Sequence, residues 1–437
     1  MQVDELRTAL QEAAAGQAPV SPTARRDIRR RVLVRRVAGA ALTLAVIGTA
    51  AGVAVTANGH RSAQGTRVIT QPGVTTSVSV APVPTTIHSG PTRTTVTPRT
   101  TPANLTTPNS SQVPLGFGLT SITFVSATEG WALGAVNCAT GATNCPAVLA
   151  HTTDGGRTWA RVPAPPTTLS PAPDASSGVG QVRFANRLDG WVYGPDLWVT
   201  YDGGAHWLKS TFANVYALEA GAGTVHAVLF DQASTSFRIE SSPVDQDAWA
   251  RSSTSLQIGA GPIPDVQLVL NATTGWILEN DRVVIAGARL VGGRWQPWTP
   301  PCTTVGGPAY LAASDATHLV ADCTEGVWTG PAISDHLYFS SDGGATFSRV
   351  AGAAPARVGG SIASPAPGVV FAAAASQIFG TFNSGASWQA VYVGGSAQAN
   401  ITLVGFTTPA QGIAITGNGE LVMTRDGGHT WQLVPFG

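Results

Sequence analysis

The chain has 437 residues, 43% of them apolar, and its 25 basic and 25 acidic residues cancel to a formal net charge of zero; that length fills two average domains or one large all-β domain. The balance hides unlike parts, since residues 1–36 carry eight Arg against four acids, 58–112 carry four Arg and no acid, and 113–437 carry 13 basic against 21 acidic residues. Lys209 is the sole lysine, which excludes a basic surface of the kind that tracks nucleic-acid phosphates.

Residues 1–36 read as a basic cytoplasmic segment with one short helix, in which Leu6 and Leu10 fall on helical spacing. Residues 37–57, VAGAALTLAVIGTAAGVAVTA, carry no charge, and at ~1.5 Å per residue they match ~30 Å of hydrocarbon. A single transmembrane helix is expected. Arg25, Arg26, Arg29, Arg30, Arg31, Arg35 and Arg36 precede it, while only His60 and Arg61 follow closely, so the N-terminus stays in the cytoplasm and everything after Ala57 lies outside, in a bacterial cell membrane. The alternative is a signal peptide cleaved after Val55-Thr56-Ala57, for which a 36-residue leading region is long. Residues 58–112 are rich in Thr, Ser and Pro, with no periodicity and no Phe, Trp or Tyr. They read as a disordered linker that reaches roughly 170 Å at about 3.1 Å per residue.

Beyond the linker the chain repeats itself. HTTDGGRTW ends at Trp159, VTYDGGAHW at Trp207, FSSDGGATF at Phe347, GTFNSGASW at Trp388 and MTRDGGHTW at Trp431, with two worn copies ending at Trp249 and Trp295. The final aromatics are spaced 48, 42, 46, 52, 41 and 43 residues apart. Before each copy stands a strand-like run, a turn and a second run near Gly-Trp, as in SITFVSATEGWALG, QVRFANRLDGWVYG and DVQLVLNATTGWILEN; the third unit offers only GAGTVHAVLF. Two hairpins, hence four strands, follow for each unit. In the turn, the Asp side chain is suited to bond nearby amides, the two glycines accept positive φ and the aromatic packs on the sheet. Seven four-stranded units with no helical period between them suit an all-β, seven-bladed β-propeller. Six blades is the competing count, and WD40 and kelch are the competing repeat types.

The S/T-x-D-G-G-x-T-W element resembles the Asp-box, or BNR repeat, of the sialidase superfamily. Its pairing with the upstream Gly-Trp run is similar to propellers of the photosystem II stability and assembly factor type. The resemblance covers residues 113–437 and rests on Asp154 and Trp159, Asp202 and Trp207, Asp342 and Phe347, Asn383 and Trp388, and Asp426 and Trp431; His206 replaces the Thr of one copy, and another keeps only Asn383 and Gly385. It implies that these aspartates are structural and lie on the face away from a ligand.

A sialidase needs three arginines around a carboxylate, a Tyr with a Glu partner, an acid, and a Phe-Arg-Ile-Pro element in its first blade. This chain has FRIE, Phe237 to Glu240, in the third unit, which reads as an ordinary strand; Arg282 and Arg357 are candidates for a common face. Eight scattered histidines form no H-E-x-x-H and no Cys-His cluster, so no metal or cofactor is expected. The expected function is a membrane-tethered, extracytoplasmic binding or assembly scaffold for an envelope protein or glycan. A cell-surface glycoside hydrolase of sialidase-like type is the alternative, and the oligomeric state stays open.

If each D-G-G turn joins strands three and four, it shares a face with the turn between strands one and two, and the opposite face carries the two-to-three and four-to-one loops. Four extracytoplasmic cysteines favour local bridges, Cys138 to Cys145 and Cys302 to Cys323, both on the loop face. Residues 113–120 are available as an added edge strand to close the ring. The loop face is expected to carry acids at Asp196, Asp231, Glu279, Asp281, Asp322, Glu325, Asp335 and Glu420. Trp298 and Trp328, with Asp322, Glu325 and Asp335, form the candidate binding patch around units four and five.

Overall fold

The computed structural model describes residues 112–138, 144–170, 176–257, 265–281, 283–303, 307–326, 334–355, 361–395 and 400–436. The expected cytoplasmic segment and membrane span, and the linker up to residue 111, lie outside them. Among the described residues no helix is long and apolar enough to cross a membrane.

The described strands form seven antiparallel sheets of four, each taken from consecutive strands of the chain. The blades cover 117–162, 181–213, 215–257, 265–298, 309–354, 362–393 and 401–434. First strands of neighbouring blades flank one another, as 117–124 and 181–184 do, and 265–271 and 215–221. Each sheet is most buried around its second strand and most exposed at its fourth. The second strand of blade 1, Gly130–Val136, is buried through its first six residues, because a sheet between two other sheets has no solvent face. The fourth strand of blade 5, Ser348–Ala354, is largely exposed. Apolar clusters fill each gap between adjacent blades; Trp131, Leu149 and Phe184, for example, fill the gap between blades 1 and 2.

Seven blades is thus the count, and the weakly marked third unit supplies a full sheet, Val215–Gly221, Thr224–Asp231, Ser236–Pro243 and Ala250–Gln257. The FRIE stretch lies within its third strand with Phe237 and Ile239 fully buried. Ring closure differs from expectation. Phe117–Phe124 is the first strand of blade 1, not an added edge strand, and blade 7 takes all four of its strands from 401–434. Ahead of that strand, Gln112 makes a single antiparallel bridge to Ala160 on the outer side of blade 1. Blades 7 and 1 close on side-chain packing and a single backbone bond: Val113, Trp159, Ile413 and Val434 share one cluster, the Phe117 and Phe436 rings lie 4.8 Å apart, and the Leu119 amide donates to the Gly419 carbonyl at 2.9 Å.

The D-G-G turns do join third and fourth strands. In blade 1, Asp154 Oδ1 accepts the Arg157 and Thr158 amides, each at 2.9 Å, and its Oδ2 accepts the Thr158 hydroxyl at 2.6 Å. The Thr152 hydroxyl accepts the Gly156 amide at 2.9 Å. Gly155 has φ +76, and a Cβ there would meet the Ala127 carbonyl oxygen at 2.7 Å. Its amide donates to the Thr128 carbonyl at 2.8 Å, within the turn between strands one and two. The same bond recurs from Gly203, Gly343, Ser384 and Gly427 to Leu188, Thr317, Gly368 and Ala410. The two turns of a blade therefore share one face and are tied together.

Candidate binding face

The opposite face carries the longer connections and both disulfides. Cys138 pairs with Cys145 across the two-to-three connection of blade 1, and Cys302, in the connection entering blade 5, pairs with Cys323 on that blade's second strand. Both are the pairings expected from the sequence. Between the fourth strand of blade 1 and the first of blade 2, Thr168 makes an isolated bridge to Pro146 and Leu169 another to Val179.

Blade 5 gathers three of the candidate binding residues at this end. Asp322 and Glu325 lie on its second strand, Leu319–Glu325, and Asp335 on its third, Ser334–Ser340. Strand alternation then parts them. Asp322 is paired with Leu337 and Thr324 with Asp335, and Leu337 belongs to the cluster between blades 5 and 6. Asp322 is fully buried and Asp335 5% exposed, with the Thr324 hydroxyl donating to Asp335 Oδ1 at 2.6 Å; both carboxylates are engaged in interactions. Glu325 points to the other side. Arg349 grips it through Nε at 2.6 Å and Nη2 at 2.8 Å, and the Tyr338 hydroxyl donates to it at 2.8 Å. The Arg349 hydrogen bonds, above all, hold its pKa down to about 2. These acids form internal networks rather than an open acidic surface, because at a strand end the neighbouring strand supplies a partner where a turn would offer water.

Trp298 ends the fourth strand of blade 4, Arg294–Trp298. Its indole N–H donates to the Gly344 carbonyl at 2.8 Å, its ring lies 6.3 Å from Phe347, and it packs in the cluster between blades 4 and 5. It is half-buried and acts as a wedge between blades. Trp328, Arg282 and Arg357 lie outside the described residues.

The Tyr338–Glu325 pair has the composition of a sialidase nucleophile and its base. Its electrostatics are opposed to that role. A base must have a pKa near the working pH, whereas Glu325 is held near 2 and burial pushes the Tyr338 hydroxyl above its ordinary value. Among the described residues no group of three or more His, Cys, Asp or Glu is placed to hold a metal ion.

Sequence reasoning missed two other features and wrongly expected a third, Glu279, among the acids presented by the loop face. Arg183 and Glu219, on the first strands of blades 2 and 3, pair at 2.7 Å. Glu279, on the second strand of blade 4, is fully buried, neither carboxylate oxygen has a hydrogen-bond partner, and burial pushes its pKa up to about 7. A cavity of about 240 Å³ opens at the seam of blades 7 and 1, lined by Val113, Leu115, Phe117, Glu420, Leu433 and Phe436 among others. No spacing in the sequence announces any of these, since each depends on which blades become neighbours.

No family model matches the sequence, and comparison with curated proteins returns no match. Among solved structures, YCF48 from Cyanidioschyzon merolae is similar with a TM-score of 0.51 and 16% identity, over 72% of this chain and 98% of that one. A structure of YCF48 bound to D1 peptide matches with a TM-score of 0.49 and 18% identity, over 72% and 95% of the two chains. An ancestral GH74 enzyme matches with a TM-score of 0.52 and 12% identity over 73% of this chain, which spans 46% of that protein. At these identities the likeness is one of fold, a β-propeller resembling that of YCF48.

Proposed function

We propose that the protein is a single-pass, membrane-tethered propeller that presents its loop face outside the cytoplasm and serves as a binding or assembly scaffold for an envelope protein or glycan. The observation that carries this reading is the difference between the two ends of the ring. At one end the short turns bond to each other within most of the blades. At the other lie the long connections, both disulfides and the seam cavity. Binding residues are concentrated on loops held by a rigid scaffold, and disulfides belong to oxidising compartments, in agreement with a chain that leaves the cytoplasm after Ala57. The D-G-G turns fit Asp-boxes of the BNR type in form and in their structural role.

Protease protection in intact cells tests the topology: the propeller should be cut from outside, and a protected propeller overturns the tethering. Photo-crosslinkers placed in turn on the loop face and on the D-G-G face of the full chain test the scaffold. Reproducible adducts to one envelope component from the loop face alone are expected. Equal adducts from both faces, or turnover of fluorogenic sialosides or glucan oligomers by the purified chain, overturn it.

A further inference from the structure

The cavity at the seam of blades 7 and 1 has a lining that is part polar and part apolar, and the polar part is short of donors. Pro114 and Pro435 have no backbone N–H to offer. The Gly419 amide is spent on the Thr416 carbonyl at 2.9 Å, and the Glu420 amide on the Thr416 hydroxyl at 3.1 Å. Glu420 is the charged group of the lining. Its Oε2 accepts the Thr416 hydroxyl at 3.1 Å, and among the described residues no cation pairs with either oxygen. Oε1 is left as an acceptor at the cavity.

The apolar part is aromatic and aliphatic. The Phe117 and Phe436 rings stand 4.8 Å apart, tilted by 59°, and Leu115 and Leu433 are 84% and 56% exposed. A cation is drawn to the face of such rings, and an aliphatic stem is suited to cover such leucines. A ligand that combines an N–H donor, a positive charge and an aliphatic stem is an alkylammonium or an alkylguanidinium. The carboxylate decides between them. A guanidinium binds a carboxylate best through two parallel hydrogen bonds, and here one oxygen is already held by Thr416. A compact ammonium needs only the other. A second copy of this chain is a poor source, because Lys209, the sole lysine, lies on blade 2 and is paired with Asp196 at 2.9 Å.

We propose that the seam cavity receives the side chain of a lysine on a partner protein, with its ammonium donating to Glu420 Oε1 beside the Phe117 and Phe436 rings and its stem lying on Leu115 and Leu433. The Thr416 bonds hold the carboxylate in position in the free protein, so little ordering is left to be done on binding. The inference rests on the loop-face reading for the existence of a partner. The site itself is tested with a small probe, so absence of binding refutes the site and leaves that reading standing.

The probe is n-butylammonium chloride, titrated into the full chain in a non-ionic detergent with isotope-labelled leucine methyl groups, against sodium chloride at equal ionic strength. Saturable shifts of the Leu115 and Leu433 methyl signals are expected, with a dissociation constant on the order of millimolar. Glu420→Gln should weaken binding by about three- to fivefold, the range for one partly exposed ion pair, while the remaining leucine signals stay in place and report an intact fold. The uncharged counterpart, n-butanol, should give no saturable shift at those two positions. The proposal is overturned by the absence of a saturable shift with n-butylammonium, by equal affinity for n-butanol or in Glu420→Gln, or by tighter binding of n-butylguanidinium or tetramethylammonium.

Discussion

Arg425 in blade 7 donates its Nη2 to the carbonyl of Gly155 in blade 1, 2.8 Å away across 270 residues of sequence. Gly155 is the first glycine of its D-G-G turn. The equivalent carbonyls of Gly203 and Gly343 are bonded by indole N–H groups of the preceding blade, from Trp131 at 3.2 Å and Trp276 at 3.1 Å. In blade 7 the position of that tryptophan is taken by Ile413, which has no side-chain donor, and Arg425 reaches the equivalent carbonyl from the D-G-G turn that follows the third strand. Arg425→Ala should therefore loosen the seam: we expect a loss of about 1–2 kcal/mol and faster hydrogen exchange at the Leu119 amide, which crosses the seam to the Gly419 carbonyl. Exchange raised evenly around the ring would contradict a seam latch.

The Asp turns can be graded against a natural amide variant. Asp426 accepts the Thr430 amide at 2.9 Å, the Thr430 hydroxyl at 2.6 Å and the Thr424 hydroxyl at 2.8 Å. In blade 6, Asn383 keeps the same amide bond from Ser387 through Oδ1 and donates from Nδ2 to the Ser387 hydroxyl at 2.9 Å. Asp426→Asn should cost under about 1 kcal/mol and Asp426→Ala about 1–2 kcal/mol, measured by urea unfolding. Equal losses for the two would mean that the carboxylate charge, rather than the hydrogen-bond pattern, holds the turn.

Glu279 sets a pH dependence of opposite sign to the turn aspartates. Its folded pKa, about 7, exceeds its ordinary value of 4.5, so between those values the native state keeps a proton that the unfolded chain has released. Its contribution to stability falls as pH rises through that window, by about 3 kcal/mol at most. The Thr430 hydrogen bonds hold Asp426 down to about 2, so its contribution is complete above about pH 4 and is lost as pH falls toward 2. His226 runs the other way: burial lowers its pKa to about 4, so it adds stability as pH rises from about 4 through 6.5. Glu279→Gln should therefore make stability rise more steeply with pH between about 5 and 7 than in the native chain, in urea unfolding with disulfides intact, and an unchanged slope would show that Glu279 contributes nothing to it.

Removing the Cys302–Cys323 bridge, which closes 21 residues, should cost about 3 kcal/mol, against about 2 kcal/mol for Cys138–Cys145, which closes seven. Paired Cys→Ala variants and thermal unfolding check the order. Non-reducing peptide maps should show these two links, and a link from Cys145 to Cys302 would contradict the fold of the loop face.

Trp298→Ala should lower stability by about 2–4 kcal/mol, the cost of truncating a large aromatic in a packed interface, and should leave the gap between blades 4 and 5 more open to exchange. A change within 0.5 kcal/mol would return Trp298 to the exposed surface.

The repeat was readable because every residue of the D-G-G turn meets a separate local demand: a carboxylate for two amides, two positive φ values and a ring for the sheet. Blade 3 lacks those demands, since its turn between strands three and four, 244–249, has no glycine and the Ser242 hydroxyl accepts the Ala248 amide there, and only Trp249 and one strand-like run marked it. The acids were misplaced for a related reason. Sequence distinguishes polar from apolar, but it does not say whether a polar residue ends a strand beside Arg349 or sits in a turn beside water. Trp298 was misread because blade 4 has two tryptophans after its Gly292–Gly293 turn. Trp295 takes the interior place, 4% exposed with its indole N–H directed to His226 Nδ1, and Trp298 fills the next gap.

Every sheet in this ring is drawn from one unbroken run of chain, so the frame of the sequence repeat and the frame of the blade coincide. An in-frame duplication or deletion of one repeat therefore adds or removes a whole sheet without splitting another. Copies such as the third and fourth are then free to drift away from the ancestral turn, because nearest-neighbour contacts on either side still hold them in place.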